Sequence, residues 1–161
     1  MFKLFKKTDD ICKLFAPVNG KTIALENVPD KVFASKMMGD GIGFEYEGNT
    51  IYAPCDGKIT LVANTLHAVG ITSENGAEIL IHIGLDTVSL NGKGFKKLIN
   101  QGDKVKKGTP LIEIDRQFMK EQDINLITPM VVTNVANYEI NVIDEGKDVT
   151  TEEEVISCKK Q

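Results

Sequence analysis

Closely spaced turn signals divide this sequence into short segments and leave little room for long helices. Asx-Gly or Gly-Asp pairs recur at residues 19–20, 56–57, 75–76, 91–92 and 102–103. The runs between them are short and rich in Val, Ile, Thr, Leu and Tyr, which are residue types favoured in β-strands. Many short strands between regular turns are typical of a sandwich or barrel. We therefore predict an all-β fold, an antiparallel β-sandwich with barrel-like character whose only helices are short helical turns.

The predicted helical segments are few. Amphipathic patterns indicate one helix over residues 29–38 and another over residues 94–100, and a helical turn is expected after Arg116. No linker or low-complexity stretch divides the chain, so we predict one domain over residues 15–161. Residues 1–14 are predicted to be a flexible tail, with a weak membrane-surface helix as the alternative because apolar and lysine residues alternate there.

Charge and cysteine content exclude several classes of protein. The chain has 161 residues and a net charge of −4, which argues against nucleic-acid binding because that function usually requires a basic surface. No apolar run approaches the roughly 20 residues of a membrane span, and the first residues do not form a signal peptide. Cys12, Cys55 and Cys158 are odd in number and form no CxxC pair, so neither a disulfide framework nor a zinc ribbon is indicated. We expect reduced, structural cysteines in a cytoplasmic protein.

The two histidines are the residues best suited to chemistry. His82 lies in an apolar run, residues 78–86, whose odd positions are all Ile or Leu and are expected to face the core. Side chains on a strand alternate between faces, so His82 is expected to face away from the core. His67 lies in a second strand-like run, residues 65–71, and shares its predicted face with Thr65, Val69 and Ile71.

A turn at residues 73–76 joins the two runs and predicts an antiparallel hairpin. If the turn is centred near Asn75, two residues that lie opposite each other in the hairpin have residue numbers that add up to about 149–150. His67 then lies across from position 82 or 83, and both imidazoles meet on one face, ringed by Val69, Ile71 and Leu80. A slip of one residue in register would move one histidine to the other face.

A pair of imidazoles on an apolar surface can share a metal, act as acid and base, or stabilise a phosphoryl group. Two histidines are too few for a structural zinc site, so a third ligand would have to come from a carboxylate or from a partner. His82 is a sensible nucleophile when neutral, because one ring nitrogen then keeps its lone pair. Gly84 is placed to offer its carbonyl to the other nitrogen, and His67 with Thr65 to donate hydrogen bonds to phosphoryl oxygens. The glycine-rich stretch at residues 39–43 lacks a Gly-Lys-Ser/Thr ending, so nucleotide binding is not expected.

Several segments together resemble the glucose-class enzyme IIA of the bacterial sugar phosphotransferase system. The resemblance covers nearly the whole chain, and its most specific part is the histidine block with the Gly-Phe that follows it. The matching segments are MMGDGIG (37–43), APCDG (53–57), TLHA (65–68), EILIHIGLDTV (78–88), LNGKGF (90–95) and GDKV (102–105).

The resemblance implies a defined chemistry. His82 would accept a phosphoryl group on Nε2 from the phosphohistidine of the histidine-containing phosphocarrier protein and pass it to a cysteine of a sugar permease IIB domain. His67 and Thr65 would support the phosphoryl group. Asp40 and Asp86 match acidic residues that flank the active site and meet basic residues of partners. A docking ring is also implied, formed by Met37, Met38, Ile42, Val69, Ile71 and Leu80.

The resemblance requires no cofactor, although it allows zinc on His67 and His82. It implies no nucleic-acid partner, and membrane contact only through the permease or weakly through the N-terminal tail. Two other readings remain open. One is a regulatory binding module of the same fold without turnover. The other is a biotinyl or lipoyl carrier domain, suggested by APCDGKI (53–59) and GDKVKKGTPL (102–111), with Lys120 as the modified residue. The sugar and the permease are not indicated.

Overall fold

Over residues 10–161, the part of the chain that the computed structural model describes, the protein forms fourteen β-strands and two short α-helices. The strands are β1 (Ile11–Phe15), β2 (Gly20–Ala24), β3 (Asp40–Tyr46), β4 (Thr50–Tyr52), β5 (Gly57–Val62), β6 (Ala68–Ser73), β7 (Glu78–His82), β8 (Phe95–Lys97), β9 (Lys104–Val105), β10 (Pro110–Ile114), β11 (Thr128–Val132), β12 (Tyr138–Val142), β13 (Asp148–Val149) and β14 (Glu154–Lys160). The helices are α1 (Lys31–Ala34) and α2 (Arg116–Glu121), and 3-10 helices cover Leu25–Asn27, Thr87–Leu90 and Val135–Asn137.

The strands form one large and two small antiparallel sheets. The large sheet has eight strands in the order β13-β2-β3-β11-β7-β6-β5-β9, and the small sheets have the orders β1-β14-β12 and β4-β10-β8. The central strand β7 pairs with β6 on one side and β11 on the other. The architecture confirms the predicted antiparallel β-sandwich with short helical turns.

The core lies on one face of the large sheet, and strand alternation selects the residues that enter it. In β7 and just beyond it, Ile79, Ile81 and Ile83 are buried, as the sequence predicted for the odd positions. In β3 the even positions, Ile42 and Phe44, are fully buried in the same core cluster. The opposite face of the sheet is therefore left for the even positions of β7, which include His82.

The two predicted helices at residues 29–38 and 94–100 differ from the observed elements. Only Lys31–Ala34 forms a helix in the first segment, since Lys36 adopts a left-handed φ of 63° that ends the helical path. In the second, residues 95–97 form β8 instead, because Phe95 pairs with Ile114 of β10 and enters the core. The helical turn expected after Arg116 is confirmed as α2.

Part of the predicted N-terminal tail is structured. Residues 11–14 belong to β1, which pairs with β14, and Leu14 is fully buried in the core. Backbone pairing and the burial of Leu14 therefore outweigh the polar residues that suggested a flexible tail. Residues 1–9, where the rest of that prediction falls, lie outside the described residues. Among residues 10–161, no helix is long and apolar enough to cross a membrane.

Candidate active site

The hairpin of β6 and β7 brings the two histidines together. Ala68 lies opposite His82 in the register, and the Ile83 N–H donates to the His67 carbonyl at 2.6 Å. The two imidazole rings lie 4.9 Å apart between centroids, with their planes inclined at 75°. The predicted hairpin register and the convergence of the histidines are therefore confirmed.

His67 reaches this face by a different path from the one that we predicted. It precedes β6, in a turn where Leu66 has a left-handed φ of 60°. That turn breaks the alternation of side chains before Ala68. The His67 side chain therefore lies on the same face of the large sheet as His82, whereas Val69 faces the core on the other side. The sequence-based assumption of an unbroken strand over residues 65–71 was wrong for this reason.

A backbone carbonyl fixes the protonation of the His82 ring. Nδ1 lies 2.8 Å from the carbonyl oxygen of Gly84. A carbonyl oxygen only accepts, so Nδ1 carries the proton and the neutral ring keeps its lone pair on Nε2. Gly84 has a φ of +75°, and a Cβ there would lie 2.7 Å from Cγ2 of Thr87. Glycine is thus required for the path that brings this carbonyl to the ring, as the sequence suggested.

The second histidine is held by a threonine. Oγ1 of Thr65 lies 2.5 Å from Nδ1 of His67, which occupies that ring nitrogen and leaves Nε2 as the one available for other contacts. The sequence suggested that Thr65 itself would donate to a phosphoryl group, but its hydroxyl is engaged by the His67 ring. Thr65 is therefore placed to orient His67.

Two further residues at the site were missed by the sequence analysis. The ring of Phe33 in α1 packs on His82, with centroids 5.0 Å apart and planes inclined at 58°. Asp30 caps α1, accepting from the N–H groups of Val32 and Phe33 at 2.9 and 3.3 Å. Asp before a short apolar segment is an N-cap signal, so Asp30 could have been found as a cap, but only the fold shows that its helix packs on His82.

Burial keeps both imidazoles neutral near neutral pH. Desolvation lowers the pKa of His82, although the hydrogen bond to Gly84 and the charges of Asp30 and Asp86 oppose it. Desolvation also lowers the pKa of His67, with a further contribution from His82. Since a nucleophilic imidazole must be unprotonated, the environment favours the reactive form of His82.

The two acidic residues predicted at the site occupy different positions. Asp86 is exposed, follows the Gly84 turn with a left-handed φ of 58°, and its charge acts on His82. Asp40 lies at the start of β3, where it contacts Nζ of Lys36 at 3.5 Å and accepts from the Gly41 N–H at 2.9 Å. Asp40 pairs with Val132 of β11, which pairs with Ile79 of β7, three residues before His82. Sheet geometry therefore puts the backbone of Asp40 on the order of 14 Å from that of His82.

The structure corrects half of the predicted docking ring. Met37 and Met38 are exposed, at 77% and 39%, whereas Ile42, Val69 and Ile71 are fully buried in the main core. These three point inward because they take the core-facing positions of β3 and β6. Leu80 is half-buried and packs on a small second cluster. That cluster consists of Leu25, Val28, Phe33, Leu85 and Val131.

Other apolar residues take the place of the buried ones. Val32 is exposed on α1, whose Phe33 ring contacts His82, and Val88 is exposed in the 3-10 helix that follows Asp86. Neither residue was predicted from the sequence to lie at the site. Together with Met37 and Met38, they are the exposed large apolar residues of the segments at residues 31–38 and 87–90, and we call these four residues the apolar rim.

The histidine pair alone is an incomplete metal site. Among residues 10–161 there is no group of three or more His, Cys, Asp or Glu side chains arranged to hold a metal ion. His67 and His82 offer two nitrogen ligands, and tetrahedral zinc needs further ligands from water or another protein. By themselves, the side chains of residues 10–161 therefore do not complete a tetrahedral zinc site.

Residues 12–138 match the family described as phosphoenolpyruvate-dependent sugar phosphotransferase system, EIIA 1. The chain belongs to this family. It is thus a phosphotransferase component that carries phosphoryl groups in a sugar phosphotransferase system, as the resemblance implied. A solved structure, glucose permease IIA from Mycoplasma capricolum, is similar to this EIIA chain with a TM-score of 0.84 and 35% identity, covering 91% of this chain and 95% of that one.

Proposed function

We propose that Nε2 of His82 accepts a phosphoryl group from the histidine-containing phosphocarrier protein and passes it to a cysteine in the IIB domain of a sugar permease. The observation that carries this proposal is the contact of Nδ1 with the Gly84 carbonyl. It leaves the Nε2 lone pair free beside a second imidazole, 4.9 Å away between ring centroids.

In the first transfer, Nε2 of neutral His82 attacks the phosphorus atom carried by the donor histidine. The donor N–P bond breaks, and its electron pair returns to the donor imidazole. Positive charge develops on the His82 ring as the new N–P bond forms. The Nδ1–H bond to Gly84 disperses that charge, because a carbonyl dipole stabilises a more acidic N–H.

His67 stabilises the phosphoryl group in this scheme. When the Thr65 hydroxyl donates to Nδ1 of His67, the proton of that neutral ring lies on Nε2. Nε2–H then donates to a phosphoryl oxygen, and this donor is already oriented before the group arrives. Transfer between such groups depends mainly on positioning and charge stabilisation, so we propose that no cofactor is required.

In the second transfer, the thiolate of the IIB cysteine attacks phosphorus, and the N–P bond electrons return to Nε2 of His82. The ring of Phe33 packs against the His82 ring, and in this proposal it limits the approach of water to the phosphorylated nitrogen. The intermediate is then discharged to the thiolate in preference to hydrolysis.

Both partners bind weakly at the same apolar rim in this proposal. A small apolar patch with a charged edge gives fast association and fast release, and exposed Asp86 supplies charge for basic residues of a partner. The protein works in the cytoplasm and meets the membrane through the permease. The Mycoplasma capricolum relative is a glucose permease IIA, so glucose is the first sugar to test.

One earlier alternative is disfavoured by the fold. A biotinyl or lipoyl carrier would present its modified lysine at the tip of a β-hairpin. Lys120 instead lies within helix α2, next to the buried Met119.

The decisive experiment is phosphorylation of the whole chain by phosphoenolpyruvate, enzyme I and the histidine-containing phosphocarrier protein. We expect one acid-labile phosphoryl group by intact mass, absent in His82→Ala and retained in His67→Gln. A folded protein that stays unmodified beside a charged phosphocarrier would contradict the proposal and favour a regulatory module without turnover. Retention of the phosphoryl group in His82→Ala would assign another acceptor.

A further inference from the structure

The fold gathers three cysteines that are far apart in the sequence. Cys12 on β1 lies directly opposite Cys158 on β14, so both side chains occupy the same face of that small sheet. Cys55 lies just before β5 and lines the same surface groove as Cys12. The Phe15 N–H donates to the Pro54 carbonyl at 2.9 Å, which holds the two segments together. All three are free thiols.

Only one of these thiols is open to solvent. Cys12 is half-buried, whereas Cys55 is 5% exposed and Cys158 is fully buried. Cys12 and Cys55 line one surface groove of about 370 Å³, together with Lys13 and Lys107. A small oxidant therefore reaches Cys12 first, in a groove that a second cysteine, Cys55, also lines.

The opposite pKa shifts of the two thiols favour one order of events. The hydrogen bond from Cys55 lowers the pKa of the Cys12 thiol, against the effects of burial and of the charges of Glu74 and Asp56. The same contact and burial raise the pKa of the Cys55 thiol. Of the two thiols, Cys12 is therefore the one that ionises more readily to the thiolate, which is the nucleophilic form, while Cys55 stays protonated.

We propose that Cys12 and Cys55 are a redox-active pair that hydrogen peroxide converts to an intramolecular disulfide. The Cys12 thiolate attacks a peroxide oxygen, the O–O bond breaks, and the departing hydroxide takes up a proton to become water. Cys12 is then a sulfenic acid. The Cys55 sulfur attacks the Cys12 sulfur, the S–S bond forms, and the S–O bond breaks with release of a second water. Two thiols lose two electrons, and one peroxide becomes two waters.

The disulfide would connect β1 to the segment that leads into β5. It closes a long loop, from residue 12 to residue 55, and so restricts the unfolded chain. The pair lies at the start of β5, whereas the turn with Thr65 and His67 follows the end of β5, about 20 Å away along a six-residue strand. Oxidation is therefore expected to leave phosphorylation of His82 unchanged, and the two proposals can fail independently. A dithiol reductant reverses the change by thiol–disulfide exchange.

The test is disulfide mapping of the whole, reduced chain after exposure to hydrogen peroxide. Trypsin releases each cysteine in a separate peptide, at residues 8–13, 37–58 and 148–159. We expect a mass loss of about 2 Da, for two hydrogen atoms, and a covalent link between the first two peptides. Alkylatable thiols should fall from three to one, and dithiothreitol should restore all three.

Two variants sharpen this test. Cys158→Ala is the matched control and should still form the disulfide. Cys55→Ser should stop at the sulfenic acid, which dimedone traps on the peptide at residues 8–13. No disulfide in the native protein, under peroxide that fully oxidises a small dithiol, would overturn the proposal. A link between the peptides at residues 8–13 and 148–159 would overturn the assigned pairing.

Discussion

The carbonyl oxygen of Gly84 lies 2.8 Å from Nδ1 of His82, and this contact decides which nitrogen of the neutral ring keeps its lone pair. The backbone reaches that position at a φ of +75°, with no space for a Cβ beside Thr87. His82 ends strand β7, and Gly84, whose carbonyl sets the protonation of the ring, follows two residues later in the same sequence block.

Substituting Gly84 tests this relationship. In Gly84→Ala, the left-handed φ and the contact with Thr87 should displace the carbonyl from the His82 ring. We expect a free energy of unfolding lower by about 1–3 kcal/mol, and phosphorylation slower by roughly 100-fold because a reacting group is misplaced. Urea unfolding and a time course of intact mass measure the two effects.

Gly102→Ala is the matched control. Gly102 also has a positive φ, 98°, but nothing lies within 4 Å of a Cβ there. Gly102→Ala should also lower the free energy of unfolding, because alanine is strained at a positive φ, while phosphorylation stays at the wild-type rate. An equal loss of phosphorylation in both variants would mean that the Gly84 carbonyl has no specific role.

The supporting role of His67 predicts a separation of the two transfers. His67→Gln should still accept a phosphoryl group, because Nε2 of His82 is unchanged, but should pass it to the IIB domain roughly 100-fold more slowly when a preorganised donor is lost. Quench-flow measurement of each step would show this. Normal transfer to IIB by the variant would refute the role.

Thr65 gives a graded version of that experiment. Thr65→Val removes the hydroxyl that contacts Nδ1 of His67 at 2.5 Å, while Thr65→Ser keeps it. The valine variant should slow transfer to IIB and the serine variant should restore it. Equal rates in the two variants would show that Thr65 acts only by its shape.

The lowered pKa of His82 predicts a specific pH profile. Acceptance of a phosphoryl group should stay constant from pH 8 to the ordinary histidine value of 6.5 and decline only below it, because the neutral ring is the nucleophile. A decline that begins above 6.5 would contradict the lowered pKa.

Stability should follow the same titration. Between 6.5 and the lower folded-state pKa, the unfolded chain binds a proton on this residue that the folded protein does not bind. Stability is therefore full above 6.5 and falls as pH decreases through that window. Comparing urea unfolding of the native protein and His82→Gln isolates this contribution, since carboxylates titrate alike in both, and His82→Gln should show the flatter curve.

Asp30 offers a charge test that spares the helix. Asn is as good an N-cap as Asp, so Asp30→Asn should keep α1 and the Phe33 contact while removing a charge that raises the pKa of His82. We expect the His82 pKa, followed by NMR of its ring, to decrease further. Asp30→Ala should in addition lower the free energy of unfolding by about 1 kcal/mol. An unchanged His82 titration in Asp30→Asn would exclude this charge effect.

Local patterns predicted the parts of the site that depend on strand alternation and turn chemistry. The alternating run at residues 78–86 and the turn at 73–76 determine the hairpin register. His82 and Gly84 are only two residues apart in the sequence, which is close enough for the Gly84 carbonyl to accept a hydrogen bond from the His82 ring. The position of His67 was not predictable from alternation, because the left-handed Leu66 rotates the chain before β6 begins.

Contacts between distant segments were the main source of error. Phe33 and Asp30 meet His82 only after α1 packs on the large sheet, and nothing local to the histidine block indicates it. Residues 94–100 look helical in isolation, but Phe95 gains more by pairing with Ile114 and entering the core. The cysteines have no meaningful spacing in the sequence, yet three elements bring them together.

Met37 and Ile71, which the resemblance placed together in the docking ring, allow the proposed docking surface to be tested. Met37 is 77% exposed and Ile71 is fully buried, so only the first can touch a partner. Met37→Ser should weaken the interaction with both partners, seen as a higher KM at unchanged unfolding free energy. Ile71→Ala should lower the free energy of unfolding by about 2–5 kcal/mol by leaving a cavity, with KM unchanged in the folded fraction. A higher KM for Ile71→Ala would return the buried positions of the implied ring to the docking surface, and an unaltered KM for Met37→Ser would remove Met37 from it.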